Sequence, residues 1–285
     1  MPLRTVRTLH PATRDDIGDL HTWRPLPNER LEQIDPFLFL NHHGPQVYPP
    51  GNRGLPFGPH PHRGFETVTF IVEGSLAHRD SGGHESVIHA GGVQWMTAGR
   101  GLEHAEVSPA EFLREGGPLE ILQLWINLPP ALKMTEPRYV GLQKDEIAPI
   151  PGAGTLATVY PIAGSWDGHP GPISSLTGVA MATVSIQPRG LVTLAAPRGR
   201  SVFLYVVRGA VAIGGTAAEA FHLAEMNDDG DAISIEADTE ALLLFGHAEP
   251  IGAPVVAHGP FVMNTREEIL QAIRDYQSGK FGGLA

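Results

Sequence analysis

Residues 58–74 read GPHPHRGFETVTFIVEG, in which two histidines separated by one proline precede a run of β-branched and aromatic residues. Alternate residues of a strand point to the same side, so His60 and His62 present both imidazoles in one direction if this segment is extended. The proline between them favours that geometry. The run that follows, residues 65–74, predicts a strand that Gly74 ends.

A second pair with the same spacing lies in GRGLEHAEVSP, residues 99–109, where one residue separates His104 from Glu106. An extended backbone there puts both side chains on one face. Two such pairs on adjacent strands of a barrel can converge on one point. Three imidazoles and a carboxylate suit a divalent transition metal, and four protein ligands leave two positions of an octahedral ion open.

The other histidines do not repeat this arrangement. The chain has 14 histidines, so an isolated pair is a weak signal, and the second pair gives the first its weight. His42 and His43 are adjacent and would point to opposite sides of a strand. His78, His84 and His89 fall in or near a predicted hairpin around residues 80–83, where we expect them to be solvated.

The rest of the chain predicts an all-β protein with a C-terminal helix. Glycines (34) and prolines (26) are spread along it, which is typical of short strands and turns. A polar connection at 132–150 separates two β-rich halves, so we predict domains at 1–131 and 132–285. In residues 264–283, Thr265 and Glu268 form a predicted capping box and Gly279 a stop signal. The apolar stripe of this helix comprises Ile269, Leu270, Ile273 and Tyr276.

Bulk composition excludes several classes of function. The chain has 20 basic and 31 acidic residues, a formal charge of −11, which gives no support to direct nucleic-acid binding. The absence of cysteine excludes disulfides, thiolate metal sites and a cysteine nucleophile. No signal peptide or bilayer-spanning stretch is evident, so we expect a soluble cytoplasmic protein without a membrane partner.

Three long blocks of the sequence together resemble the pirin family of the cupin superfamily. They are PHPHRGFETVTFIVEG (59–74), GGVQWMTAGRGLEHAE (91–106) and GPFVMNTREEILQAIRDYQSGKFG (259–282). The resemblance implies a bicupin: two face-to-face antiparallel β-barrels of the jelly-roll type with a C-terminal helix. It places metal only in the N-terminal domain and leaves the C-terminal domain metal-free.

The resemblance also implies a ligand set of His60, His62, His104 and Glu106. Iron(II) is its usual occupant, with zinc, manganese, nickel, cobalt and copper as alternatives. Glu66 falls where other cupins often place a glutamate ligand, so it stays a minor candidate beside a structural role. The NHHGP stretch at 41–45 departs from the aspartate-containing loop of the family.

Two functions remain open for such a protein. The first is a quercetinase-type dioxygenase, which inserts O₂ into a flavonol and releases carbon monoxide, with Glu106 taking the substrate proton. Phe57, Met96 and Gln123 are candidates for its pocket wall or for the core. The second is a regulatory protein whose metal site controls binding to a transcription factor or a metabolic enzyme. A sugar isomerase or epimerase fits the pirin blocks poorly, and the family resemblance implies a monomer.

Overall fold

The computed structural model describes residues 1–151 and 153–284. Antiparallel strands make up most of it, which confirms the all-β class. Up to Lys144 the strands are β1 (Val6–Pro11), β2 (Thr13–Arg14), β3 (Thr22–Leu26), β4 (Phe37–Tyr48), β5 (Phe57–His62), β6 (Phe65–Glu73), β7 (Ser75–Asp80), β8 (Glu85–His89), β9 (Val93–Thr97), β10 (Leu102–Val107), β11 (Gly117–Asn127) and β12 (Arg138–Leu142). A short helix, α1 (Ala110–Glu115), lies between β10 and β11.

The remaining elements are thirteen strands and a terminal helix. They are β13 (Ile150–Pro151), β14 (Ala153–Ala163), β15 (Ser165–Trp166), β16 (His169–Pro170), β17 (Ala180–Ala195), β18 (Ser201–Arg208), β19 (Ala210–Ile213), β20 (Thr216–Glu219), β21 (His222–Met226), β22 (Ala232–Ala237), β23 (Ala241–Ala248), β24 (Val256–His258), β25 (Phe261–Met263) and α2 (Arg266–Gln277). Short 3-10 turns occur at Pro130–Leu132 and Lys144–Glu146.

The chain divides into two compact units built from interleaved segments. The first barrel contains Arg14–Arg24, Phe37–Lys144 and Ile251–Ala285. The second barrel contains Met1–Thr13, Pro25–Pro36 and Asp145–Pro250. The predicted domains 1–131 and 132–285 differ from these units at both ends of the chain. At the N-terminus the reason is strand pairing, since β1 forms hydrogen bonds with β21, a partner that local sequence patterns do not specify.

The first barrel contains a four-stranded sheet in the order β5-β10-β7-β8 and a seven-stranded sheet in the order β12-β9-β6-β11-β4-β3-β2. The predicted strand at 65–74 is present as β6. Gly74 ends it at φ +84°, and a Cβ there would lie 2.6 Å from the carbonyl oxygen of Pro118. The segment predicted as a connection at 132–150 contains the strand β12, which pairs with β9.

The second barrel is built on a ten-stranded sheet. Its central path runs β1-β21-β18-β23-β17-β22-β19-β20, and β14 pairs with β17 beside this path. The alternate residues of these strands form one aliphatic cluster that includes Val184, Leu204, Val206, Ile233 and Leu243, all fully buried. Hydrophobic burial of this continuous cluster provides the core of the unit.

The terminal helix begins at the predicted cap. The Thr265 hydroxyl accepts the backbone N–H of Glu268, and the Glu268 carboxylate accepts the N–H of Thr265, so the capping box is confirmed. The buried side includes Ile269 and Ala272, which pack with Phe281 beyond the helix, but Leu270 is 53% exposed and does not belong to the stripe. Among the described residues, no helix has the length and apolar character needed to cross a membrane.

Candidate metal centre

Three histidines of the first barrel converge on one point. His60 and His62 lie on β5 and His104 lies on β10, and the antiparallel register pairs His104 with His60. The ring centroids are 4.3 to 4.9 Å apart. One ring nitrogen from each residue lies within 4.8 Å of the other two. The strand alternation expected from the sequence thus brings the three imidazoles together.

Backbone carbonyls orient two of these rings. The Nδ1–H of His60 donates to the carbonyl of Gly58 over 2.7 Å, and that of His62 donates to the carbonyl of Pro260 over 3.3 Å. Each of these bonds leaves Nε2 as the free ligand atom. Metal-binding histidines typically carry such a bond on the other ring nitrogen, because it fixes both the tautomer and the ring orientation.

His104 has no such bond. Both of its ring nitrogens are buried, and neither has a hydrogen-bond partner among the described residues. Leaving a buried polar group unpaired is unfavourable by about 1–3 kcal/mol. A metal ion that accepts the lone pair of one ring nitrogen removes that penalty for this nitrogen, so the unpartnered ring of His104 fits a bound ion.

Burial also keeps the rings of His62 and His104 neutral. It lowers the pKa of His62 to about 3, with the neighbouring His60 adding to the shift. It lowers the pKa of His104 well below the usual value, with His62, His60 and His78 contributing. Neutral imidazoles offer the lone pairs that nitrogen ligands need. The three histidines therefore fit a divalent transition metal.

Glu106 lies on the same strand as His104 but is not part of the three-histidine group. Its Oε1 accepts hydrogen bonds from the Thr69 hydroxyl at 2.9 Å and from the Gln94 amide, and its Oε2 accepts one from the Gln123 amide at 2.6 Å. A bulge between His104 and Glu106 shifts the register against β5. The structure thus places the fourth predicted ligand in a network of side-chain donors.

The three donors to Glu106 form one row across the seven-stranded sheet. Gln123 of β11 pairs with Thr69 of β6, which pairs with Gln94 of β9. Sequence reasoning proposed Gln123 but missed Thr69 and Gln94. The alternation of β6 could have indicated Thr69 from the sequence. The pairing of β11, β6 and β9, which are distant in the sequence, could not be predicted in this way.

Glu66 lies on the other face of β6. It is three residues from Thr69, and an odd separation in a strand reverses the direction of the side chain. Its Oε1 accepts a bond from the Thr97 hydroxyl at 2.6 Å, and burial raises its pKa. This placement supports the structural role of Glu66 and separates it from the donors to Glu106.

A small cavity adjoins Glu106 inside the barrel. It measures about 10 Å³, the space of one water-sized group. Its walls are His43, Leu55, Phe57, Thr69, Leu76, Glu106, Ile121 and Gln123. Phe57 and Gln123, two of the three residues predicted for a pocket wall or for the core, line this cavity. Met96 instead packs against Ala98 and Leu102.

One histidine of the hairpin is buried, against the sequence-based expectation. His78 is 2% exposed, its Nε2 bonds to the Asp80 carboxylate at 3.1 Å, and its ring stacks on Tyr139 at 4.1 Å. Burial follows from the alternation of β7, which turns His78 and Asp80 to one face. His84 and His89 are exposed, as expected.

Two family profiles match the chain. The profile described as Pirin covers residues 19–126, and the Pirin C-terminal cupin domain covers residues 181–282. The chain belongs to the pirin family. Human pirin is 38% identical over 268 residues, covering 91% of this chain and 87% of that protein.

Other relatives of this pirin-family chain carry the name of an enzyme. A Pseudomonas aeruginosa protein provisionally named quercetin 2,3-dioxygenase is 37% identical over 272 residues, 95% of each chain. The crystal structure of quercetin 2,3-dioxygenase from Acinetobacter baumannii superposes with a TM-score of 0.92 at 31% identity and covers 100% of both chains. The two-domain cupin fold implied by the sequence is confirmed.

Proposed function

We propose that this protein is a metal-dependent dioxygenase of the quercetinase type, which cleaves the central ring of a flavonol with O₂ and releases carbon monoxide. The observation that carries the proposal is His104, whose two buried ring nitrogens have no partner in the described chain and which lies beside His60 and His62. The names of the bacterial relatives agree with this function.

In this proposal His60, His62 and His104 hold the metal, with iron(II) as its physiological form. A divalent ion so held supplies Lewis acidity, which lowers the pKa of a chelated substrate hydroxyl, together with open coordination positions. The carbonyls of Gly58 and Pro260 keep the first two rings in the ligating orientation. Those bonds let the chain present its nitrogen ligands without reorganisation.

Glu106 is the proposed fourth ligand and the acceptor of the substrate proton. A carboxylate oxygen has about two acceptor sites. Oε1 is filled by Thr69 and Gln94, while Oε2 has one donor, Gln123, among the described residues. Oε2 therefore keeps an acceptor site that can take a proton or a ligand bond. The three donors hold the carboxylate in place as its charge changes.

The small cavity beside Glu106 has the size of one substituent of an aromatic substrate. Phe57, Leu76 and Ile121 are apolar and stand next to the carboxylate, so the site combines a hydrophobic surface with one proton acceptor. Such a surface excludes water from the proton that Glu106 receives, which strengthens the electrostatic interactions there.

The test is to load the purified protein with iron(II) under argon and quantify the metal. Quercetin and air are then added, and loss of flavonol absorbance is followed together with carbon monoxide release. We expect one mole of carbon monoxide to be released for each mole of flavonol lost. The His104→Ala variant is the matched control, because it keeps the chain but removes one ligand; it should give neither signal.

A fully loaded protein without turnover would contradict the dioxygenase proposal. It would favour the regulatory function that the resemblance to pirins also implies. In that event the metal-loaded and metal-free forms should differ in their capture of a protein partner.

A further inference from the structure

His43 faces the same interior as Glu106. The register of β4 and β11 pairs His43 with Ile121 and Asn41 with Gln123, so His43 and Gln123 share one face of the sheet. The adjacent His42 points to the other face, where it bonds to the Glu120 carboxylate at 2.8 Å. The two neighbouring histidines do point in opposite directions, and only His43 reaches the cavity.

The hydrogen-bond network assigns the tautomer of His43. The Thr22 hydroxyl donates its one proton to the carbonyl of Leu20 at 3.3 Å. At 2.9 Å from His43 Nδ1, the Thr22 oxygen can then only accept, so Nδ1 carries the proton. Burial lowers the pKa of His43 to about 3, with His42 and Arg24 adding to the shift. The ring is therefore neutral, with a bare lone pair on Nε2.

That lone pair has no partner among the residues the structure describes. His43 is 1% exposed, and its Nε2 is buried without a hydrogen bond. The cavity it lines is otherwise walled by apolar side chains such as Phe57 and Leu76, by Thr69, and by the Glu106–Gln123 pair. The ring of Phe57 lies 5.2 Å from that of His43. A group entering this space meets two acceptors, His43 Nε2 and the Glu106 carboxylate.

We propose that His43 Nε2 accepts a hydrogen bond from a hydroxyl group on the aromatic substrate, which makes His43 a specificity-determining residue. The inference rests on the proposed function, since it assumes that one hydroxyl group of the flavonol enters this cavity. A cavity of about 10 Å³ holds a hydroxyl but not a methoxy group, and its acceptors select a donor over a carbonyl. His43 thus selects a ring hydroxyl in addition to the one that the metal would chelate.

The test measures binding rather than turnover. Iron-loaded protein is titrated under argon with 3-hydroxyflavone, its derivatives with one further ring hydroxyl, and their methyl ethers, and the Kd is obtained by calorimetry. In the wild type, a hydroxyl at one ring position should tighten binding about tenfold relative to hydrogen, the size of one well-formed hydrogen bond. The methyl ether should lose that gain.

Variants assign the gain to His43. In His43→Phe it should fall below about twofold, whereas His43→Gln should keep part of it because the amide oxygen can reach the position of Nε2. Thr22→Val tests the same point without changing the ring: it removes the partner that fixes the tautomer, so the gain should shrink. His89→Phe, at an exposed position of β8, should keep all of it.

The outcomes separate the two proposals. Hydroxyl selection that depends on His43 without turnover after air is admitted supports this inference and contradicts the dioxygenase. Turnover with the same hydroxyl preference in His43→Phe leaves the enzyme standing and overturns the role of His43. Equal binding of all ring derivatives to the wild type, or no binding at all, also overturns it, and would mean that His43 faces only a water molecule.

Discussion

The interiors of the two barrels differ in chemistry, although the strands of both alternate inward and outward side chains in the same way. In the second barrel the inward positions carry side chains such as Val184, Leu204 and Leu243, which belong to one mainly aliphatic cluster. In the first barrel a row of inward positions carries Gln94 and Thr69, together with their neighbours in register. The strand framework therefore does not determine the function; the residues placed on its inner face do.

The polar interior is costly unless every group finds a partner. Gln94, Thr69 and Gln123 satisfy that requirement by donating to Glu106. His104 and the Nε2 of His43 do not find a partner in the described chain. The core cluster of the second barrel has no comparable set of polar side chains that need hydrogen-bond partners. Other buried atoms of the first barrel, such as Tyr48 Oη and Glu66 Oε2, also lack a partner among the described residues, so our proposals rest on where His104 and His43 lie as well as on their missing hydrogen bonds.

The largest effect should come from replacing His104, the proposed ligand without a hydrogen-bond partner. We expect His104→Ala to lose nearly all bound metal, because two histidines hold a divalent ion far less tightly than three, while circular dichroism shows an unchanged β signal. Metal content by mass spectrometry is the measurement. The control is His89→Ala, which should retain full loading; stoichiometric metal in His104→Ala would remove His104 from the site.

A change in the aliphatic barrel should affect stability alone. Leu204 is fully buried, so Leu204→Ala should lower the free energy of unfolding by about 2–5 kcal/mol. Urea unfolding measures this value. Metal content of the folded protein should stay at the wild-type level. Loss of metal without loss of stability would mean that the two interiors are not distinct in function.

The support of Glu106 should have a smaller but specific effect. Gln94→Leu keeps the bulk of the side chain and removes one donor to Oε1. We expect metal affinity or the rate of flavonol cleavage to fall about 10- to 100-fold, as is usual when an outer partner of a ligand is lost. The control is Gln277→Leu at the exposed end of α2, which should change neither quantity.

The sequence predicted the three histidines because a separation of two residues in a strand is a local property. The capping box at Thr265 was equally local, and it is confirmed. What the sequence did not predict depends on pairing between distant strands. Gln94 joins Thr69 in donating to Glu106 because β9 pairs with β6, and His78 is buried because the alternation of β7 points it inward.

The smallest expected effect is a dependence of the free energy of unfolding on pH, to which both barrels contribute. Burial lowers the pKa of His43 in the first barrel and of His247 in the second to about 3, against an ordinary value of 6.5. Between these values the unfolded chain binds more protons than the folded one, so stability falls as the pH falls from about 6.5 towards 3. The limiting slope is about 1.4 kcal/mol per pH unit and per histidine.

Urea unfolding of the metal-free protein between about pH 4.5 and 7 checks this expectation. His247→Phe should have a flatter pH profile than the wild type, because one titrating group is gone. Control variants at the exposed His89 should keep the full slope. Parallel profiles for His247→Phe and the wild type would show that His247 is not held in its neutral form.

The most direct test of the metal centre is a crystal of the iron-loaded protein, with diffraction measured at the iron absorption edge. We predict one strong anomalous peak in the first barrel, at bonding distance from a ring nitrogen of each of His60, His62 and His104. A peak elsewhere, or one in contact with fewer than two of these rings, would contradict this prediction.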